Sequence, residues 1–345
     1  MPDMKKTLLI IGAGGFIGGF IAREAVRRGY DTWAGVRPST SRRWLDIDTL
    51  RIIDFDYDDP DAILATLHAA APSPAGWDYI IWNLGATKCA NFADFNRINF
   101  EYLRTFTECL RSASMLPERF LFMSSLSALG PGDEKNYTPL SGATIPHPDT
   151  RYGLSKIKAE TCLELQPDLR WTIFRPTGVY GPHERDYLMM VKSIDAGWDF
   201  GVGYRRQMLT FIYVDDLVAA MFDAINTPAT LRRKYIISED RAYSQADFRR
   251  LTAASLGKRF VVPVRLPLWA VYAASVIAEK IAALRGKPST LNRDKFKIMR
   301  QRNWSCDISD AQRDFGFTPR WPLVRGLEAT VAEYIREKKS RKAKA

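Results

Sequence analysis

The sequence has few of the residues from which protein metal sites and disulfides are built. Its 345 residues include three histidines and four cysteines, and no two cysteines form a Cys-x-x-Cys pair. Zinc sites need these residues in close clusters, so we expect no metal site. Widely spaced cysteines also favour reduced thiols and a cytoplasmic protein. The four are Cys89, Cys109, Cys162 and Cys306.

The sequence also lacks long apolar segments, internal repeats and low-complexity linkers. Its longest apolar stretch, from Leu266 to Ala278, has about 13 residues, fewer than the ~20 that a membrane-spanning helix needs. The first apolar run is short and breaks into glycines, which is not the pattern of a secretion signal. With 46% apolar and 26% charged residues, the composition is typical of a globular protein with a sizeable core.

The sequence has fewer acidic than basic residues, and its net charge is +11. About half of the surplus lies in the last ten positions, 336–345. A basic tail can bind an acidic membrane surface or a nucleic acid, but a solvated, frayed terminus is the commoner situation. We expect the frayed tail and no nucleic-acid partner, and we keep membrane contact as the alternative.

The first half of the chain alternates short β-branched segments with helical patterns. One long helix is predicted over 92–114, where apolar side chains recur at helical spacing. This alternation predicts an α/β fold with a doubly wound parallel sheet of the Rossmann type. Ligands of such sheets bind beyond the carboxyl ends of the strands. The predicted strands are 7–11, 31–36, 50–55, 78–84, 119–125 and 171–176.

After residue 182 the alternation becomes irregular, which predicts a smaller, mixed α/β part. We expect residues 1–182 to form the Rossmann domain and 183–335 to form a substrate-binding domain, with some elements returning to the sheet. Residues 336–345 would be the basic tail. The predicted elements of the second part are strands 209–214 and 233–238 and helices 215–225, 244–256, 266–284 and 323–338.

A glycine-rich loop directly follows the first predicted strand and opens the first predicted helix. It contains Gly12, Gly15 and Gly18 in a Gly-x-x-Gly-x-x-Gly pattern. Glycines permit a tight turn and let a pyrophosphate approach the backbone. The free N–H groups of the helix N-terminus then bind the phosphates. In this context the loop predicts a dinucleotide site, and a turn without a ligand is the alternative.

The end of the second predicted strand indicates which dinucleotide binds. An acidic residue there would bind the ribose 2′-hydroxyl of NAD. The sequence instead reads GVRPSTSRR, with Arg37 in that position and Arg42 and Arg43 close by. A guanidinium pairs with a 2′-phosphate and stacks on adenine. We therefore favour NADP(H) over NAD(H), with a merely basic surface as the alternative.

Further motifs, in order along most of the chain, resemble those of the extended short-chain dehydrogenase/reductase family of NAD(P)-dependent epimerases, dehydratases and oxidoreductases. YGLSK supplies Tyr152 and Lys156, and MSSLSALG supplies Ser125. RPTGVYGP resembles the family's loop beside the nicotinamide. The resemblance implies Ser125, Tyr152 and Lys156 as catalytic residues, with Ser127 as a rival of Ser125.

The resemblance also implies which residues surround the cofactor. Asp56 and Tyr57 would contact the adenine, and the segment NLGA would line the dinucleotide. Asn99 and Ser124 are weaker candidates, because a core amide and a structural hydroxyl are the alternatives. With the glycine loop and the arginines, the expected cofactor-binding residues are Gly12, Gly14, Gly15, Phe16, Ile17, Gly18, Arg37, Arg42, Asp56, Tyr57, Asn83, Gly85, Ala86, Asn99, Ser124, Tyr152, Lys156, Pro176, Thr177, Gly178 and Val179.

The mechanism that the resemblance implies is proton transfer by a phenol. Tyr152 would act as the general acid/base towards the substrate oxygen, which Ser125 would position. Lys156 lies one helical turn on, so its ammonium would lower the pKa of Tyr152 and bind the nicotinamide ribose. Hydride would pass between the substrate carbon and the nicotinamide.

Proteins of this fold act on many substrates, and two features favour a hydrophobic one. NADP(H) suits net reduction. Segment 262–286 is apolar nearly all round. Core packing explains such a segment, and a lid over an apolar substrate or a helix at a membrane surface is the alternative. We expect an NADP(H)-dependent oxidoreductase that acts on a hydroxyl or ketone carbon of a sterol or a long-chain keto-lipid, such as a keto-sphingoid base.

Two other functions stay open at this point. A nucleotide-sugar epimerase or dehydratase would keep NAD tightly bound. A non-catalytic NADP-sensing or scaffold protein would have lost the tyrosine or the lysine, and both are present. The expected partners are a small hydrophobic substrate, a second copy in a homodimer, and the inner face of a membrane, contacted by the helix Leu266–Leu284 and the basic tail.

Overall fold

A seven-stranded sheet organises the computed structural model, which describes residues 5–89, 91–285, 289 and 291–344. The strands are β1 (Thr7–Ile11), β2 (Asp31–Val36), β3 (Arg51–Asp54), β4 (Tyr79–Trp82), β5 (Arg119–Met123), β6 (Trp171–Pro176), β7 (Gly178–Tyr180), β8 (Trp198–Val202), β9 (Met208–Leu209), β10 (Phe211–Tyr213), β11 (Lys234–Ile237), β12 (Tyr243–Ser244) and β13 (Val262–Leu266). The sheet order is β11-β6-β5-β4-β1-β2-β3, and every pairing is parallel. Its carboxyl ends therefore share one edge.

The predicted α/β class and the doubly wound parallel sheet are confirmed. Each of the six predicted strands overlaps a strand of this sheet, and β1, β2 and β6 have the predicted bounds. The seventh strand, β11, comes from the C-terminal half and pairs with β6. An element of the second part thus returns to the sheet, while the boundary at residue 182 stays a prediction.

Helices cover the sheet and build the C-terminal part. They are α1 (Phe16–Arg27), α2 (Pro60–Ala70), α3 (Phe92–Asn96), α4 (Tyr102–Ser112), α5 (Arg151–Glu164), α6 (Arg185–Asp195), α7 (Val214–Ile225), α8 (Gln245–Ser255), α9 (Leu268–Leu284), α10 (Arg293–Arg300), α11 (Ser309–Phe315) and α12 (Leu323–Lys344). The helix predicted over 92–114 is in fact α3 and α4 joined by a π-helical turn, Arg97–Glu101.

The prediction of a frayed basic tail is wrong over 336–344, because α12 continues to Lys344. Lysine, arginine, alanine and glutamate are good helix formers. Two ion pairs also stabilise the segment: Arg336 pairs with Glu333 one turn earlier, and Lys338 pairs with Asp195 of α6. Residue 345 of the predicted tail lies outside the described residues.

The core lies on both faces of the sheet, because successive strand side chains point to opposite faces. Leu8 and Ile10 of β1 belong to the cluster beneath α1, α7 and α11, whereas Leu9 and Ile11 belong to the cluster beneath α2, α4 and α5. All four side chains are fully buried. A smaller third cluster joins α6, α8 and α12.

The described residues also form three two-stranded sheets, which lie wholly in the C-terminal part except for β7. β7 pairs with β10, β9 with β12, and β8 with β13. Helix α9 packs on α10, where Val202, Val271 and Phe296 form a small cluster. Among the described residues no helix combines the length and apolarity that crossing a bilayer requires, and no three His, Cys, Asp or Glu side chains cluster as metal ligands would.

A buried ion pair fixes α5 to the sheet. The Arg175 guanidinium of β6 donates to the Glu160 carboxylate through Nη2 (2.5 Å) and Nε (3.1 Å). The two side chains are 3% and 0% exposed. The Ser124 hydroxyl, which follows β5, donates to the same carboxylate. Because each polar group of this cluster has a partner inside the protein, removing one leaves the others unpaired.

We expect Glu160→Gln to lower the free energy of unfolding by about 3–5 kcal/mol, since it leaves the Arg175 charge buried without a counterion. The matched control is Glu164→Gln on the same helix, which breaks the half-exposed pair with Lys234 and should cost under about 1 kcal/mol. Urea denaturation followed by circular dichroism measures both. Equal losses in the two variants would contradict the role assigned to the buried pair.

Candidate active site

The loops of the expected site meet at the carboxyl edge of the sheet. The glycine loop follows β1, residues 83–86 follow β4, Ser125 follows β5, and Thr177 follows β6. These four strands are consecutive neighbours in the sheet. The tertiary structure therefore brings together motifs that are spread over more than 160 residues of the sequence.

Helix α5 brings Tyr152 to this edge. The helix begins after Thr150, whose hydroxyl accepts the N–H of Gly153 at 3.0 Å. The Ser125 hydroxyl lies near enough to Tyr152 to lower the pKa of the phenol, and Ser125 Oγ accepts the N–H of Ser127 at 3.2 Å. Ser125, rather than its sequence rival Ser127, is thus the hydroxyl against the phenol.

Burial controls the protonation of the tyrosine and the lysine. It raises the pKa of Tyr152 to about 12, although the nearby Ser125 hydroxyl acts in the opposite direction. It lowers the pKa of Lys156 to about 8, against the nearby charge of Glu160. Lys156 Nζ donates to the Met123 carbonyl at 2.9 Å. Desolvation of the phenol dominates the pKa of Tyr152, and the expected lowering of this pKa by the Lys156 ammonium stays a prediction.

The glycine loop leaves room for a ligand at the start of α1. Gly12 has φ +82°, and a Cβ there would lie 2.6 Å from Leu84 N; a Cβ on Gly18 would lie 2.3 Å from the Gly12 oxygen. Protein packing therefore requires these two glycines. A Cβ on Gly15 would meet nothing nearer than 3.6 Å, so that position is open.

The N-terminus of α1 is suited to an anionic group. The helix has no side-chain N-cap and no acidic residue in its first turn, which begins with Phe16 and Ile17. Its first N–H groups and positive dipole end face the open space at Gly15. The loop thus fits the pyrophosphate of a dinucleotide.

At the adenosine end of the expected site, Arg37 and Arg42 differ in whether a carboxylate pairs with them. Arg37 directly follows β2 and is exposed, and no carboxylate of the described residues pairs with it. Arg42 is instead held by Asp54, through contacts of 2.6 and 2.9 Å. The intervening loop packs closely on the glycine loop, since a Cβ on Gly14 would lie 2.3 Å from Thr40 Cγ2. Arg37 is the arginine that is available to a ligand.

The two residues expected at the adenine differ in exposure. Asp56 is exposed, and its carboxylate accepts the N–H of Asp58 at 3.1 Å. Tyr57 is buried between Phe55 and Tyr102, with ring centroids 5.7 and 5.6 Å away. Its hydroxyl has no partner among the described residues, and burial raises its pKa. The Tyr57 ring is therefore part of the core.

Asn99 holds the loop after β4. This fully buried side chain lies in the π-helical turn, a feature that often marks functional sites. Its Oδ1 accepts the Ala86 N–H at 2.7 Å, and its Nδ2 donates to the Ala86 oxygen and to Ser155 Oγ. A Cβ on Gly85 would lie 3.0 Å from Lys156 Nζ. Asn99 thus positions this loop against the lysine.

The other expected residues lie around the same edge. Asn83 Nδ2 donates to the Gly12 oxygen at 3.4 Å. Pro176 ends β6, and Gly178 and Val179 belong to β7. The Thr177 hydroxyl between them is buried and has no partner among the described residues. Such a hydroxyl is uncommon in native proteins and fits a site that a ligand completes.

Sequence reasoning missed a contact between the C-terminal part and α5, the helix that carries Tyr152 and Lys156. The Asp294 carboxylate of α10 accepts the Arg151 N–H at 3.0 Å, at the first turn of α5. Arg151 also pairs with Glu279 of α9 at 3.7 Å. These partners are more than 120 residues from Arg151, and no local pattern marks them.

Comparison with known proteins identifies the family. The model of the NAD dependent epimerase/dehydratase family matches residues 8–238, about two thirds of the chain. The chain belongs to this family. It is an NAD(P)-dependent enzyme of the extended short-chain dehydrogenase/reductase type, as the motifs predicted.

Two curated relatives show how far the sequence similarity extends. Short-chain dehydrogenase/reductase family 42E member 1 of Homo sapiens is 30% identical over 173 residues, which are 45% of this chain and 43% of that protein. The match thus spans less than half of the relative's length. The dTDP-4-dehydro-6-deoxy-D-allose reductase of Streptomyces bikiniensis is 25% identical over 244 residues, 64% of this chain and 73% of that enzyme.

Solved structures of family enzymes share the whole fold. The UDP-glucose 4-epimerase of Thermotoga maritima, solved with UDP-glucose, has a TM-score of 0.77 at 19% identity and covers 96% of this chain and 99% of its own. MoeE5, solved with UDP-glucuronic acid and NAD, has a TM-score of 0.74 at 21% identity, with the same coverage. At these identities the likeness establishes the fold alone.

The lowered pKa of Lys156 predicts a pH-dependent stability. Between about pH 8 and the ordinary lysine value of 10.5, the unfolded chain binds a proton that the folded chain does not. The contribution of this residue to the free energy of unfolding therefore rises with pH through that window. Lys156→Met removes the rise, so the stability difference between wild type and variant should shift in favour of wild type from pH 7 to pH 10.

Urea denaturation at each pH measures this difference. Lys158→Met is the control on the same helix, because Lys158 is exposed and donates to Asn96. Its stability should stay parallel to that of the wild type across the range. A Lys156→Met curve that also runs parallel to the wild type would contradict the shifted pKa.

Proposed function

We propose that the enzyme is an NADP(H)-dependent oxidoreductase that transfers hydride between the nicotinamide and a hydroxyl or ketone carbon of a hydrophobic substrate. The observation that carries the reaction type is that the Ser125 hydroxyl, which follows β5, lies beside the Tyr152 phenol of α5 at the carboxyl edge of the sheet. Lys156 lies one helical turn after Tyr152, in contact with the end of β5. The glycine loop, the proposed binding site of the cofactor, follows β1 at the same edge of the sheet.

The chain's own residues supply the proton and the orientation. With a pKa of about 12, the Tyr152 phenol is protonated at neutral pH, so it acts as the general acid that donates to a ketone oxygen. The Ser125 hydroxyl binds the same oxygen and orients it. Lys156 keeps a positive charge below about pH 8, which stabilises the phenolate that proton donation leaves. The bound dinucleotide supplies or accepts the hydride.

The choice of NADP(H) is supported by Arg37. This exposed guanidinium stands directly after β2, where an NAD enzyme of this fold has an acidic residue for the ribose 2′-hydroxyl. A 2′-phosphate would give Arg37 the counterion that no described carboxylate provides. The loop 38–41 adds three hydroxyl side chains close to the same position.

The C-terminal part supports the proposal that the substrate is a hydrophobic ketone or alcohol, such as a sterol or a long-chain keto-lipid. Helix α10 contacts the start of α5 through Asp294, and α9 packs on α10. The apolar helix α9 therefore lies close to the catalytic tyrosine. Net reduction agrees with the protonated phenol and with the relative that is named a reductase.

We expect Tyr152→Phe to lower turnover about 100-fold or more, since a positioned general acid contributes roughly 10²–10⁴ to the rate. Tyr204→Phe is the control, because the Tyr204 ring is exposed. Turnover is measured as the change in nicotinamide absorbance with steroid ketones and long-chain keto-lipids. NADPH binding, followed by its fluorescence, should be the same in both variants.

Two results would contradict the proposal. Full turnover by Tyr152→Phe would remove the tyrosine from the mechanism. The second result is a protein that purifies with tightly bound NAD and converts a nucleotide sugar without a net change in nicotinamide absorbance. That result would show an epimerase or dehydratase instead of an oxidoreductase.

We expect the wild type to bind NADPH more tightly than NADH. Arg37→Ala should weaken NADPH binding about 10- to 100-fold, the range for a charge-assisted hydrogen bond, and should leave NADH binding unchanged. Arg51→Ala is the control, because Arg51 lies at the start of β3 and pairs with Asp31. Fluorescence titration measures the dissociation constants, and an NADH preference in the wild type would contradict the assignment.

A further inference from the structure

Exposed large apolar side chains are concentrated in one part of the chain. Among the described residues eighteen such side chains are exposed, and eleven of them lie between Trp198 and Leu284, about a quarter of the sequence. These eleven include six of the seven exposed aromatic rings. Single exposed apolar residues need no explanation, whereas a contiguous apolar surface marks an interaction site.

The ribbon of β8 and β13 contributes the first part of this surface. Trp198 and Phe200 alternate along β8, so they lie on one face of the ribbon, and their rings stack 6.4 Å apart. Their strand partners are Val262 and Val264. Phe260, 77% exposed, lies two residues before the start of β13. One face of the ribbon is therefore apolar and aromatic.

Helix α9 contributes the second part. Trp269, Ile277 and Ile281 recur at intervals of four and eight residues, so they share one side of the helix, and Trp269 is 75% exposed. The opposite side carries Val271 and Ser275, which are buried. Core packing thus explains only the inner side of α9. We call the exposed side chains of β8, β13 and α9, with Phe260, the aromatic patch.

The charges around the aromatic patch are basic. Arg206, Arg259, Lys280 and Arg285 are exposed, and no carboxylate of the described residues pairs with them. The acidic residues of the same segments are engaged elsewhere: Asp199 is buried and pairs with Arg249, and Glu279 pairs with Arg293. The patch therefore combines aromatic rings with unpaired positive charge.

This combination selects one kind of partner. In a two-fold dimer through the patch, like charges would come together and oppose association. An anionic bilayer surface accepts both features, because tryptophan and tyrosine prefer the headgroup region and each nearby basic residue is attracted to acidic lipid. A lysine such as Lys280, inside the apolar stripe, can extend its ammonium to the headgroups.

We propose that the aromatic patch docks the enzyme on an anionic lipid bilayer. Docking places α9 in the interface, and α10 connects α9 to the first turn of the catalytic helix through Asp294. The surface is separate from the dinucleotide site, so docking and cofactor binding are independent properties of the chain.

Co-sedimentation with lipid vesicles tests the proposal. The wild-type protein should bind phosphatidylcholine vesicles that contain phosphatidylglycerol, and bind less at high salt and on phosphatidylcholine alone. The double variant Phe260→Ser, Trp269→Ser should lose about tenfold or more of its partitioning, given the apolar area removed. Lys280→Glu with Arg259→Glu should lose binding to the anionic vesicles.

Matched controls separate this surface from general hydrophobicity. Ile145→Ser and Leu165→Ser remove side chains that are 82% and 77% exposed outside the patch, and both should bind vesicles like the wild type. NADPH binding should be unchanged in every variant, so a failed oxidoreductase assay would leave this test intact. A wild type that stays off anionic vesicles, or a dimer that the patch variants convert to monomers without any vesicle binding, would overturn the proposal.

Discussion

The buried contact between Glu160 and Arg175 is the constraint on which the site depends. Tyr152, Lys156 and Glu160 are spaced four residues apart, so they form one stripe along α5. The last member of the stripe is bound to β6 and to Ser124 by directional hydrogen bonds. An apolar contact would let the helix rotate or slide more easily, whereas these bonds set its position. The other two members then face the carboxyl edge of the sheet.

The same stripe explains the electrostatics of the site. Burial makes a charged lysine costly, and the negative charge of Glu160 partly compensates for it. Burial also keeps the Tyr152 proton in place, which a general acid for ketone reduction needs. Desolvation thus raises the pKa of the phenol and lowers the pKa of the ammonium. The environment, rather than the residue types, sets these two pKa values.

The two halves of the chain act together at this edge. The first half supplies the glycine loop, the loop that Asn99 holds, and the Ser125–Tyr152 pair. The second half contacts the first turn of α5 through Asp294. It also carries the exposed aromatic patch. A substrate drawn from a lipid phase would reach the enzyme at the surface next to the helix that carries Tyr152, the proposed general acid. The proposed substrate class and the proposed docking surface therefore agree with each other, and both rest in part on helix α9.

Local pattern was enough to predict the α/β class, six strands, the glycine loop and the tyrosine–lysine pair, because strand alternation, glycine spacing and helical periodicity are properties of short segments. Only the tertiary structure decided which serine meets the phenol, which arginine stays free, and that Asn99 holds a loop, since these depend on contacts across the sheet. The contact made by Asp294 was equally invisible in the sequence. A segment that is apolar nearly all round shows no preferred side, so which side of α9 is exposed is known only once its neighbours are placed.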